Sequence, residues 1–93
     1  MVWYVPDCMK LSWRQFGDEA VVFNQASGQT HVLDAMSAWV LRELEMSPSS
    51  HDILANRLVR DLGLEKDLAV CRLQEILAKF ECQGLVESDQ ESA

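Results

Sequence analysis

Trp13-Arg14-Gln15-Phe16-Gly17-Asp18-Glu19-Ala20-Val21-Val22-Phe23-Asn24-Gln25-Ala26-Ser27-Gly28-Gln29-Thr30-His31-Val32-Leu33-Asp34 is the stretch that decides the fold. It completes a run from Leu11 to Phe16 in which Leu11, Trp13 and Gln15 alternate with Ser12, Arg14 and Phe16, the period of a strand. Gly17-Asp18 makes a turn, and Glu19 to Asn24, with Val21, Val22 and Phe23 at its centre, makes a second strand. Asn24 to Gly28 again supplies turn chemistry, and Thr30 to Leu33, rich in β-branched residues, a third strand. Three short strands joined by short turns read as an antiparallel meander. A sheet of this kind is open, so its outer strands keep unpaired backbone groups.

Everything after Asp34 reads as helix. Asp34 stands at an N-cap, where its carboxylate can accept from the free N–H groups of the first turn. Met36, Trp39, Val40 and Leu44 then share one face, which places Trp39 in the core, and Pro48 forbids continuation. Ser49-Ser50-His51-Asp52 has the capping-box spacing and opens a second helix with Ile53, Leu54, Leu58 and Leu62 as its stripe and Gly63 past its end. A third helix starts near Glu65 to Asp67, where acids suit the positive end of the dipole, and runs to Gly84. Leu85-Val86 is expected to pack back as a short final strand, and Glu87 to Ala93 to fray. The fold class is α+β: a three-stranded antiparallel sheet followed by three helices.

Length and charge narrow the function. With 93 residues the chain holds one domain and one core. No apolar run approaches the roughly 20 residues of a membrane span, and Met1 to Asp7 lacks the basic flank and cleavage site of a signal peptide, which points to the cytoplasm and to no membrane partner. Eight Lys and Arg against 15 Asp and Glu give a formal net charge of −7, which repels a nucleic-acid backbone, and no basic stripe offsets it. Cys8, Cys71 and Cys82 form no CxxC and leave one thiol over in any disulfide scheme, as in a reducing compartment.

The residues that could carry chemistry read as structure. Cys71 and Cys82 point the same way on the third helix but sit roughly 16 Å apart at 1.5 Å per residue, too far to share an ion, and His31 and His51 are also widely separated. Buried or half-buried thiols are the expectation, with no metal and no cofactor. His31 has no serine or cysteine nucleophile in a recognisable arrangement beside it, and no glycine-rich phosphate loop occurs, so the chain is not expected to be an enzyme. Arg72, Glu75 and Lys79 read as a solvated helix face.

The ordered combination carries a resemblance. Strand-strand-strand-helix-helix-helix-Gly84-Leu85-Val86, with the turn Ser27-Gly28-x-Thr30-His31-x-Leu33 and the spaced Leu41, Leu44, Leu54 and Leu58, resembles the PqqD family of peptide chaperones, the RiPP recognition elements. Trp13-Arg14, Asp18-Glu19-x-Val21-Val22-Phe23-Asn24 and Ala26 to His31 are similar to the branch found with HPr kinase-related gene systems (HPr-rel-A). The likeness spans roughly residues 11–87, leaving residues 1–10 as an N-terminal arm outside the family core and 88–93 as an acidic tail. It implies a winged helix-turn-helix-like fold that binds the leader segment of a precursor peptide and presents it to a modifying or HPr kinase-like enzyme. It also implies where: the leader is added as a strand between the third strand, here Thr30, His31, Val32 and Leu33, and the third helix, here Arg72, Glu75, Ile76 and Lys79.

The residues support that site on their own terms only at the sheet edge. Thr30 to Leu33 carries neither Lys nor Pro, the usual guards of an edge strand. The alternative is that Trp3-Tyr4-Val5, or a second protomer in a homodimer, covers it. Two other functions stay open: a winged-helix regulator reading DNA with its third helix, and a dimerisation scaffold with no peptide ligand. The mixture of Glu65, Asp67, Glu75 and Glu81 with Lys66, Arg72 and Lys79 on that helix disfavours DNA.

Overall fold

In a computed structural model that describes residues 2–6 and 10–89, Gly17 sets the first hairpin. Strand β2 (Leu11–Phe16) pairs with β3 (Glu19–Asn24) so that Phe16 faces Glu19 across a two-residue loop. Gly17 takes φ 61° while no non-glycine residue among those described has positive φ, the pattern of a type II′ turn that twists with its strands. Strand β4 (Gln29–Leu33) completes the meander, Ala20 facing Leu33 and Val22 facing His31. The second loop is held by Asn24, whose carboxamide oxygen accepts from the backbone N–H of Ala26 at 3.0 Å and of Ser27 at 3.4 Å. The order β2-β3-β4 leaves β4 at an edge.

The three helices follow as the sequence predicts. Helix α1 (Ala35–Met46) starts at Asp34, whose Oδ1 accepts from the Ser37 N–H at 2.8 Å. Helix α2 (His51–Leu62) ends at Gly63 in the left-handed region, φ 68°. Its N-cap is Ser50, which accepts from the Ile53 N–H at 3.3 Å, one residue later than the capping-box reading on Ser49. Ser49 is instead buried in a strand. Helix α3 (Lys66–Cys82) runs past both. Leu41, Leu44, Leu54, Leu58, Leu73 and Phe80 are almost wholly buried and close one core with Val22 and Leu33 of the sheet.

A second small sheet was not legible in the sequence. Strand β1 (Val2–Tyr4) lies between β5 (Ser49–Ser50) and β6 (Glu87–Asp89), with Trp3 facing Ser49 on one side and Ser88 on the other. The last strand among the described residues is Glu87–Asp89, and Leu85-Val86, expected as the final strand, is core just before it. Ser88 and Asp89, assigned to the fraying tail, are paired; residues 90–93 lie outside the described residues. The Tyr4 hydroxyl donates to Glu87 Oε2 at 2.9 Å, and that bond, desolvation and the nearby charges of Glu87 and Asp89 raise its pKa. Trp3 and Tyr4 are thus engaged here and do not cover β4.

The meander is fixed to α1 through Trp13. Its indole N–H donates to Glu45 Oε1 at 2.6 Å, the Arg42 guanidinium lies 4.6 Å from its ring centroid, and Arg42 also donates to Gln15 Oε1 at 3.0 Å. Trp39 corrects the core reading: it is only half-buried, packing against the core while its remaining surface lines a concavity of about 410 Å³ between the first hairpin and α1.

Candidate functional site: a free strand edge beside α3

Hydrogen-bond alternation decides which groups β4 offers. A two-residue hairpin loop makes its flanking pair, Phe16 and Glu19, a hydrogen-bonded one, so Glu19, Val21 and Phe23 bond toward β2. Ala20, Val22 and Asn24 then bond toward β4, engaging Leu33, His31 and Gln29. The N–H and C=O groups of Thr30 and Val32 therefore point away from the sheet. Among the described residues no strand pairs with them.

The side chains alternate as well. His31 and Leu33 share the inner face with Val22 and Ala20, and Leu33 is 3% exposed. Thr30 and Val32 lie on the outer face. Across the core, Ile76 of α3 is buried with Leu33 in the same cluster, whereas Arg72, Glu75 and Lys79 are exposed. Arg72 and Glu75 form an i,i+3 ion pair at 3.9 Å, an exposed contact that contributes little.

Asp34, at the end of β4, feels the charges of α3. The Ser37 backbone N–H is the main cause holding its carboxyl below the usual aspartate range, partial burial opposes this, and the Ser37 hydroxyl and the charges of Arg72 and Lys79 pull the same way as the amide. The positive charges of Arg72 and Lys79 on α3 thus act on the carboxylate at the end of β4. None of the eight nominated residues lines the concavities between the first hairpin and α1, beside Trp3, or around Tyr4 and Pro48. The candidate site lies along a strand edge and outside these concavities.

Two features escaped the sequence reading. Leu68, 48% exposed, stands four residues before Arg72 and extends the α3 stripe toward its N-terminus, a signal present in the helical spacing. His31 Nε2 is buried with no hydrogen-bond partner among the described residues, as is His51 Nε2. Among the described residues no group of three or more His, Cys, Asp or Glu could hold a metal ion. Cys71 and Cys82 are exposed free thiols rather than buried ones, and Cys8 lies outside the described residues. No described helix is long and apolar enough to cross a membrane.

The chain is similar in fold to TbiB1. That protein was solved in complex with the TbiA(beta) leader peptide, and the two superpose with a TM-score of 0.73 over 95% of this chain and 99% of TbiB1, at 16% sequence identity. No protein-family model and no curated protein matches the chain. The likeness to TbiB1 confirms the α+β, winged-helix-like architecture.

Proposed function

We propose that this chain is a leader-peptide-binding adaptor of the RiPP recognition element type, taking a precursor peptide as an extra strand on β4. The free Thr30 and Val32 backbone groups carry the reading: four unpaired donors and acceptors on an edge with neither Lys nor Pro favour strand addition. The leader-bound state of the structural neighbour supports it. Inward side chains of the added strand would pack toward Leu33, Ile76 and the aliphatic stems of Arg72 and Lys79, with Glu75 on the rim and His31 Nε2 offering a polar partner. The chain itself would do no chemistry. Presentation to a modifying or HPr kinase-like enzyme, membership of the PqqD family and its HPr-rel-A branch, and action in the cytoplasm belong to the same proposal and rest on the sequence resemblance.

The test is an amide-shift titration with the short peptide encoded beside this chain's gene. Shifts at Thr30, Val32 and along residues 68–79 are the expected result. Shifts confined to Leu11–Phe16, with β4 and α3 silent, would overturn the assignment.

A further inference from the structure

We infer that the added strand is read on both of its faces: the residue that lies beside Val32, on the sheet's outer face, is apolar and β-branched or aromatic. This inference rests on strand addition at β4 and adds a specificity determinant to it. Val32 is 63% exposed, in a place where edge strands ordinarily carry charge. It is the end of a row, not an isolated residue. Val21 faces it directly on β3, half-buried, and Phe23, 39% exposed, stands two positions along from Val21 on the same face. The apolar row Val21–Val32 thus runs up to the edge and stops where the next strand would begin.

The pleat fixes what comes next. In an added antiparallel strand, the residue hydrogen-bonded to Val32 shares its face, so its side chain stands in line with Val21 and Val32. A polar residue there would leave the Val32 methyls in water, and a β-branched or aromatic one would cover them. The helix side of the cleft has no part in this choice, because α3 lies across the inner face.

A second copy of the chain is the competing occupant, and charge disfavours it, because edge-to-edge pairing of two β4 strands brings together two chains of net charge −7.

The experiment is a display selection of random twelve-residue peptides on the immobilised full chain, run in parallel on Val32→Thr, which keeps β-branching and replaces one of the two methyls by a hydroxyl. Contacts between the best selected peptide and the Val32 methyls are then read by nuclear Overhauser effects. The expected result is enriched peptides with an apolar β-branched or aromatic residue at the position in contact with Val32. That preference should vanish on Val32→Thr while the inward preference persists, and affinity of the parent peptide should fall roughly two- to fivefold. Enriched peptides that bind β4 with polar residues beside Val32 would overturn this inference and leave the leader-binding reading intact. Failure to enrich any peptide that shifts β4 amides would overturn both. A dimer in sedimentation at micromolar concentration, dispersed by Thr30→Pro, would show that the row is made for a second copy.

Discussion

Asp34 follows β4 directly and caps α1 through Ser37, while the charges of Arg72 and Lys79 act on it. Asp34→Ala is expected to destabilise the chain by about 1 kcal/mol at neutral pH, the usual effect of a lost N-cap. Because its folded pKa is lowered below the unfolded value of about 3.9, the carboxylate's contribution is fully present above that pH. It is lost as pH falls through the folded value. Denaturation of the wild type and Asp34→Ala at pH 7 and pH 2.5 should show a gap that narrows in acid, and a gap unchanged by acid would remove the ionic part of the cap. Trp39 tests a different point. A fully buried Trp replaced by Ala costs about 3–5 kcal/mol, but this ring is only partly buried and lines the concavity beside α1, so Trp39→Ala should cost less than that in a urea melt.

For β4, the hydrogen-bond alternation makes a sharper prediction than its sequence does. Thr30→Pro removes an N–H that bonds nothing in the sheet, so the melting temperature should change little while peptide affinity falls roughly two- to tenfold for one lost hydrogen bond. His31→Pro, which breaks the ladder to Val22, should instead lower the melting temperature. Equal melting losses in the two variants would show that the outward assignment is wrong. The meander, its edge and the Asp34 and Gly63 caps were legible because each is written in a few adjacent residues: an alternation, a glycine, a carboxylate. Strands β1, β5 and β6 were not, since Val2 finds its partners at Ser50 and Asp89 through packing that no local pattern encodes. Of the candidate site, β4 followed from the residues themselves, whereas the choice of the Arg72 face of α3 came from the family resemblance. Leu68 was missed although its spacing from Arg72 sets it on the same stripe, because a single exposed leucine is ordinary on a protein surface.

At the scale of the whole chain, charge separates a peptide adaptor from a DNA-reading winged helix. A recognition helix meets phosphates with clustered cations, and each neutralised phosphate adds to the salt dependence of binding. On α3 the exposed Arg72 is paired with Glu75, Lys79 stands near Asp34, and the chain carries −7 overall. No duplex binding is therefore expected near physiological salt at micromolar protein, and a gel shift that weakens steeply with salt would restore the DNA reading. Strand addition predicts a different salt response. Its affinity rests on backbone hydrogen bonds and buried apolar side chains, which ions screen weakly, while rim charges such as Arg72 act mainly on the rate of encounter. Arg72→Glu should thus change the association rate measured by stopped flow, and its salt dependence, more than the dissociation rate. If the dissociation rate instead rises tenfold or more, Arg72 makes a buried contact with the leader, and the α3 wall is part of the grip on the peptide.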